Sequence, residues 1–179
     1  MKRHQDHEPE ISDSPTELTG IRDRAKEFIS QTPLPHQSGQ NCKIALVSPD
    51  RIPYIWDTVH RHLELMTPHS EGELEPEDFY EALTNAEMQL WIALDDGDII
   101  ASMVSQIIPY PRKQILRIIA IAGKGVEQWM QFLPMVEDWA LSVGCTSLEC
   151  WGRKGWLKVL KDWKCSYHII TKDLTARMH

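Results

Sequence analysis

The stretch between residues 114 and 151 constrains the fold of this chain more than any other part of its sequence. Residues 114–122 form a very apolar segment of strand length, and the turn Gly123-Lys124-Gly125 follows it directly. Apolar positions then recur at helical spacing from about residue 126 to residue 143, and residues 147–151 have a second strand pattern. A strand, a long helix and a strand in this order predict a crossover unit whose two strands lie parallel in one sheet.

Three strands in an antiparallel meander are expected around the start of this unit. Residues 89–94 and 99–108 have strand patterns on either side of an Asp-Asp-Gly-Asp turn, and the apolar strand at 114 is the third member. Upstream of the meander, the apolar spacing predicts a short strand and two helices, at residues 43–47, 51–65 and 76–84. The expected fold class is therefore mixed α/β, or α+β, with an antiparallel meander followed by a parallel pair and with helices on both faces of the sheet.

Two later features complete the predicted elements. Pro134 lies inside the long helix and predicts a kink there. A second helix is expected from about residue 154 to residue 163, followed by a final strand at residues 167–174. Arg153 precedes this helix and Lys158 lies on its basic face, so it is either a solvated amphipathic helix or a surface that contacts phosphate groups.

The first 40 residues differ in composition from the rest. They are polar and acidic at residues 4–14, carry one short helix pattern at 15–29 and end in a linker at 32–40. We therefore expect a domain at residues 41–179 with an N-terminal extension at residues 1–40, which would pack on its own domain or on a protein partner. No apolar run approaches the roughly 18–20 residues of a membrane span and the N-terminus has no secretion-signal pattern, which predicts a cytoplasmic protein without a membrane partner.

Charge is distributed unevenly along the chain. The total is −7, but residues 43–110 carry net −10 and residues 111–179 carry net +5. The acidic total argues against a protein that coats nucleic acid, whereas the basic C-terminal third either binds an anionic ligand or forms one of two solvated faces. The four cysteines have no C-x-x-C spacing and no His at zinc-finger spacing, so we expect free thiols and no metal site.

The Gly-Lys-Gly turn is the most informative local motif. A helix N-terminus preceded by small residues exposes unpaired amides and the positive end of the helix dipole, which suits a phosphate group. Lys124 would add a mobile cation. Glycines at a strand-to-helix turn are also common for steric reasons, so the motif by itself leaves both explanations open.

The order of elements over residues 43–174 resembles the GNAT superfamily of acyl-CoA N-acyltransferases. In that family the fourth and fifth strands splay apart, and the fourth strand and the following turn hold the pantetheine and pyrophosphate of acyl-CoA. The resemblance implies acetyl-CoA or another acyl-CoA as co-substrate, with its pantetheine amides facing strand backbone at Ile118, Ile119 and Ala120. It also implies a pyrophosphate turn and an adenosine-phosphate contact, formed respectively by Ala122, Gly123, Lys124, Gly125 and Val126, and by Arg153 and Lys158.

The catalytic signature of that family is only partly present. The family's turn motif begins with Gln or Arg, which is absent here, and its later helix carries Asn and Tyr where this chain has Arg153 and Leu160. Direct acyl transfer to an amine needs a base for the ammonium, a donor for the carbonyl and an acid for the thiolate. The candidate bases are Glu81, Glu87, Asp78 and Glu149, and Tyr167 or Cys165 would replace the missing acid. Of these, Glu81, Glu149 and Tyr167 are the expected catalytic residues.

Two functions stand as alternatives. The first is an N-acyltransferase that transfers an acetyl or other acyl group to an amine-bearing substrate. The second is a non-catalytic structural, internal virion or interaction protein with this fold. The Trp-Ala-x-x-x-Gly-Cys and Gly-Arg-Lys-Gly-Trp pieces of the C-terminal half resemble GNAT-like proteins of tailed phages, so the chain is expected to be phage-encoded in both cases. The expected location is the host cytoplasm in the first case and the virion in the second, and nucleic acid is a less favoured partner in both.

Overall fold

The computed structural model describes residues 42–66, 68, 72–124, 130–152 and 154–166. The predicted N-terminal helix and linker and the predicted last strand lie outside these residues. The strands are β1 (Lys43–Val47), β2 (Gln89–Asp95), β3 (Asp98–Tyr110), β4 (Lys113–Gly123) and β5 (Ser147–Cys150). The α-helices of the described ranges are α1 (Ile52–Glu64), α2 (Pro76–Thr84) and α3 (Leu133–Ser142). None of these helices is long and apolar enough to cross a lipid bilayer.

The five strands form one sheet in the order β1-β2-β3-β4-β5. The first four are antiparallel neighbours, and β5 pairs parallel to β4. This arrangement confirms the mixed α/β class, the antiparallel meander and the parallel crossover pair. β4 therefore carries an antiparallel neighbour on one side and a parallel neighbour on the other.

The helices α1 and α2 cover one face of the sheet. α1 repeats apolar residues every three to four positions, which places Val59 and Leu63 in the core. α2 begins with Pro76 in its first turn and with a capping box, in which the Glu75 and Asp78 carboxylates each accept a backbone N–H of the other residue. Their buried side chains pack with strand residues in one hydrophobic cluster.

The opposite face of the sheet is covered by α3. Its Trp139 is fully buried and meets Trp91 of β2 edge to face, with ring centroids 5.2 Å apart. The Trp91 Nε1–H donates to Ser105 Oγ on β3 at 3.0 Å. Successive strand residues point to opposite faces, so β2 contributes Trp91 to this core and Leu90 to the core under α1 and α2. The expected helices on both faces are confirmed.

The helix predicted from residue 126 to residue 143 is interrupted before Pro134 instead of kinked at it. Met130 is helical, residues 131 and 132 form a turn, and α3 begins at Leu133, so Pro134 lies in its first turn. The first amides of a helix have no intrahelical acceptor, so a proline there loses no hydrogen bond and its fixed φ suits the start of a helix. The beginning of the predicted helix, at residues 126–129, lies outside the described residues.

The helix predicted over residues 154–163 is wrong. A 3₁₀ helix at Lys154–Lys158 is followed by turns. Gly155 disfavours a continuous α-helix by roughly 1 kcal/mol, and lysines four residues apart repel each other on one helix face. Trp156 also folds back onto Gly152, where an added Cβ would lie only 2.9 Å from the indole Cδ1.

Candidate active site

The strands β4 and β5 separate part-way along the sheet. They pair over four residues, from Ile115 with Ser147 to Ile118 with Cys150, and β5 ends there. β4 runs on to Gly123 without a partner from β5. The two strands therefore bound a wedge that is open beyond Cys150, which matches the splay implied by the family resemblance.

A β-bulge in β4 lies at the point of separation. On the β3 side, Val104 pairs with Ala120 and Ser105 pairs with Ile118, so Ile119 is an extra residue in β4. A bulge bends the strand that carries it and increases its local twist. The bend at Ile119 accounts for an opening that begins one residue after the last parallel pair.

The open edge of β4 presents backbone groups to the wedge. Lys124 donates its N–H to the Ile100 carbonyl of β3 at 2.9 Å. Residues of an antiparallel strand alternate between those bonded to the neighbouring strand and those whose N–H and C=O point to the other side. By this alternation, the N–H and C=O groups of Ile121 and Gly123 point away from β3 and into the wedge.

A cavity of about 430 Å³ lies in the wedge. Its first wall is β4, from Arg117 to Gly123, and its second is the chain that leaves β5, at Cys150, Trp151, Gly152 and Trp156. The third wall comes from the end of α1, the segment before α2 and α2 itself, through Leu65, Met66, Glu73, Leu74 and Phe79. The volume is within the range of sites that bind small molecules.

Arg117 joins three side chains beside the cavity. Its Nε donates to Glu149 Oε1 at 2.7 Å, and a terminal guanidinium nitrogen donates to the Tyr110 hydroxyl at 3.2 Å. The Trp151 ring centroid lies 4.1 Å from the guanidinium carbon, and Trp151 Nε1 donates to the same Glu149 oxygen at 2.7 Å. Two short hydrogen bonds to one oxygen fix the Glu149 carboxylate next to the cavity.

The Cys150 thiol in the cavity wall is held in its neutral form. Burial raises the pKa of this thiol, and the neighbouring Glu149 carboxylate raises it further. A protonated thiol is a poor nucleophile. The cavity therefore suits chemistry without a covalent enzyme intermediate better than chemistry through an acyl-cysteine.

The glycine turn has a steric requirement at its first position. Gly123 has a φ of +121°, and an added Cβ would lie 2.5 Å from both Ala101 Cα and the Ile100 carbonyl oxygen. The amide of Lys124 is bonded within the sheet, and its side chain is exposed. The described part of the turn therefore offers a mobile cation to a ligand, while the Lys124 amide is already used.

The predicted cofactor residues fall into three groups. The cavity is lined by Ile118, Ile119, Ala120, Ala122 and Gly123. Two exposed residues, Lys124 and Lys158, lie outside the cavity lining. The remaining three are outside the described residues, namely Gly125, Val126 and Arg153.

The predicted catalytic residues are placed differently from one another. Glu149 lies beside the cavity, since its partners Arg117 and Trp151 both line it. Glu81 is exposed on α2 and does not line the cavity. Tyr167 lies outside the described residues. The acid and base roles therefore stay predictions.

Arg117 and Glu73 are cavity residues that sequence reasoning did not identify. Arg117 is the one charged residue in the apolar run 115–123. A lone charge in such a strand indicates a paired, partly buried cation, so this residue could have been found. Glu73 carries no comparable signal, because only the packing of the segment before α2 brings it to β4.

Similarity to known proteins is found in the structure and not in the sequence. No family model matches the chain. No curated protein matches its sequence. A solved aminoglycoside acetyltransferase from an uncultured soil metagenomic sample, in complex with sisomicin, matches with a TM-score of 0.58 and 13% sequence identity, over 76% of this chain and 97% of that one.

Two further solved structures have the same architecture. A possible acetyltransferase from Clostridium difficile 630 matches with a TM-score of 0.54 and 11% identity, over 76% of this chain and 100% of that one. A ribosomal-protein-alanine N-acetyltransferase from Brucella melitensis biovar Abortus 2308 matches with a TM-score of 0.56 and 11% identity, over 75% of this chain and 99% of that one. The fold is that of the GNAT acyltransferases. The GNAT fold thus covers about three quarters of the chain, in agreement with the extent of the resemblance noted from the sequence.

Proposed function

We propose that this protein is an acyl-CoA-dependent N-acyltransferase that transfers an acetyl or other acyl group to an amine. The observation that carries this proposal is the wedge beyond Cys150, where the bulged β4 turns its backbone edge toward a cavity of about 430 Å³. The likeness in fold to an aminoglycoside acetyltransferase and to a ribosomal-protein-alanine N-acetyltransferase supports the same class of reaction.

The residues along the wedge fit the pantetheine arm of acyl-CoA. This arm carries amides that can pair with a strand edge, and Ile121 and Gly123 offer such an edge. Ala120 and Ala122 leave room beside it because each side chain is a single methyl group. Lys124 is the exposed cation next to this edge in sequence and would neutralise phosphate charge.

Acyl-CoA supplies a thioester whose C–S bond breaks as a C–N bond to the amine forms. The ammonium gives one proton to a base before it attacks, an acid protonates the departing thiolate, and the second proton lost by the nitrogen replaces the one that the acid gave up. We assign the base to Glu149. Among the described residues both of its close contacts fall on Oε1, which leaves Oε2 to accept the proton. Arg117 and Trp151 act as positioning residues for this carboxylate, and the acid remains the predicted Tyr167.

Binding is tested by calorimetric titration with acetyl-CoA. The variant Ile121→Pro removes one amide that points into the wedge and leaves the hydrogen bonds to β3 in place. We expect it to weaken acetyl-CoA binding about tenfold, the effect of one lost hydrogen bond. The control Ile121→Val keeps the amide and should bind within about twofold of the wild type. Absence of any heat or thermal shift at millimolar acetyl-CoA would reject the proposed co-substrate.

Turnover is tested with the variant Glu149→Gln. Its side-chain carbonyl oxygen still accepts hydrogen bonds from Arg117 and Trp151, but the amide is not a base. We expect kcat to fall about 10²-fold or more while acetyl-CoA affinity is retained. Glu77→Gln, an exposed change outside the cavity lining, should behave as the wild type. Unchanged kcat in Glu149→Gln would assign the base elsewhere.

A second candidate function is a non-catalytic, phage-encoded or virion-associated protein with this fold. It is favoured by two observations. Leu160 stands where the family has its Tyr acid, and the chain before it forms a 3₁₀ helix instead of the family's α-helix. This alternative predicts that no CoA is released with any amine, whether or not acetyl-CoA binds. Measurable CoA release that depends on an added amine would exclude it.

A further inference from the structure

The cavity has an apolar wall opposite the open edge of β4. Leu65, Met66, Leu74 and Phe79 form it from the side of α1 and α2. The exposed ring of Trp151 and the partly buried ring of Trp156 add flat aromatic surface where the chain leaves β5. Such walls stabilise a bound ligand by burying apolar surface. They therefore favour a ligand whose hydrocarbon part carries no polar groups.

The described residues that line the cavity carry little charge, since Glu73 and Arg117 are the charged ones among them. The Arg117 guanidinium is neutralised by Glu149, with Nε and Oε1 2.7 Å apart. The positive charge of Arg117 is therefore not available to neutralise the Glu73 carboxylate. One negative charge complements one ammonium, whereas a second ammonium brought against the apolar wall would lose its hydration without a partner.

We infer that the amine acceptor is a small primary monoamine with an apolar alkyl or arylalkyl body, and not a polyamine or an aminoglycoside. This inference rests on the function proposed above and adds the class of its acceptor. The apolar body would lie against Leu65 and Phe79, and Glu73 would attract the incoming ammonium, which then reaches the base assigned above, Glu149. Because the pantetheine arm would occupy part of this cavity of about 430 Å³, only a small acceptor fits in the remaining space.

The decisive comparison uses two amines of equal length that differ by one charge. CoA release from acetyl-CoA is measured with hexylamine and with 1,6-diaminohexane, and phenethylamine, spermidine and kanamycin extend the series. We expect kcat/KM to be at least about tenfold higher for hexylamine than for the diamine, and higher for phenethylamine than for spermidine or kanamycin. Equal or better turnover of the polycations would overturn the inference while leaving the N-acyltransferase function intact.

Two variants connect this preference to the cavity. Glu73→Gln should raise KM for hexylamine about tenfold with little change in kcat, and Glu77→Gln should change neither. Leu65→Glu adds a second carboxylate at an exposed position of the apolar wall and should move the preference toward the diamine by about tenfold. Tyr54→Glu, at an exposed site on α1 outside the lining, is the matched control and should leave the preference unchanged.

Amine binding is also measured without turnover, so that the two proposals fail separately. Saturation-transfer NMR on the full chain compares hexylamine with 1,6-diaminohexane, with and without acetyl-CoA. Preferential binding of hexylamine that is weakened by Glu73→Gln would support the acceptor class even if acetyl-CoA fails to bind. Equal binding of both amines, or binding that is indifferent to Glu73→Gln and Leu65→Glu, would overturn it.

Discussion

Gly123 lies where β4 approaches the backbone of β3 closely. A glycine at this turn is expected to leave amides open for a phosphate, but the structure gives it a second reason. Its φ of +121° and the 2.5 Å that would separate an added Cβ from Ala101 Cα exclude any side chain. The residue is thus needed for the end of β4 to form, whatever binds in the wedge.

The variant Gly123→Ala should lower the free energy of unfolding by about 2–4 kcal/mol, since it adds a backbone clash to an unfavourable φ. Gly97→Ala is the matched control, because its φ is also positive but an added Cβ meets nothing within 4 Å. We expect it to lose only about 1 kcal/mol. Urea unfolding of both variants measures the difference, and equal losses would contradict the clash.

His62 on α1 is a second residue with a measurable consequence. Its Nδ1 lies 2.9 Å from the Oγ of the buried Ser102. Burial lowers the pKa of His62, and the nearby Arg61 lowers it further. The folded chain therefore takes up this proton at a lower pH than the unfolded chain does, so this residue removes stability as the pH falls below about 6.5.

Unfolding by urea at several values between pH 7 and pH 5 tests this effect. The wild type should lose more stability on acidification than His62→Gln, which cannot be protonated and can still bond to Ser102. The slope of the difference should stay below about 1.4 kcal/mol per pH unit, the limit for one proton. Parallel curves for the two proteins would show that His62 is not responsible.

At the scale of elements, the start of α3 and the break in β4 decide how the crossover unit is built. Pro134 begins the described α3 instead of kinking a longer helix. Ile119 bulges out of β4 and separates it from β5. The sequence shows neither event, because an Ile-Ile pair in an apolar strand looks regular and a proline in a helical pattern fits either a kink or a beginning.

Proline positions in α3 can be tested directly. Pro134→Ala should change the free energy of unfolding by less than about 1 kcal/mol, because no hydrogen bond is gained in the first turn. Glu137→Pro places the ring one turn further on, where it removes a hydrogen bond and clashes with the preceding turn, and should cost about 3 kcal/mol or more. A large loss in Pro134→Ala, measured by thermal or urea unfolding, would indicate that the proline does more than begin a helix.

At the scale of the whole molecule, the cavity lies between the acidic and the basic parts of the chain. The wall at residues 65–79 belongs to the segment with net −10, and the walls at 117–123 and 150–156 belong to the segment with net +5. The acidic segment attracts a cationic amine, and the basic segment attracts the anionic CoA. The charge polarity seen in the sequence thus supports the proposed reaction.

Among the described residues, both hydrophobic cores are built from residues between Cys42 and Trp163. A chain that begins at residue 41 should therefore still fold, with cooperative urea unfolding and a free energy of unfolding within about 1 kcal/mol of the full chain. Circular dichroism and urea titration of the two chains measure this. Loss of the cooperative transition would show that the N-terminal extension belongs to the domain.

The sequence by itself determined the strands of the meander, the two helices before it and the parallel crossover, because apolar periodicity and turn residues are local properties of the chain. Only the tertiary structure decided where the site lies. The bulge at Ile119 opens the wedge, and Glu149 pairs with Arg117 across 32 positions of sequence. The segment around Glu73 reaches β4 through the packing of α1 and α2. Contacts of this kind depend on the positions of distant segments, which no local pattern of residues specifies.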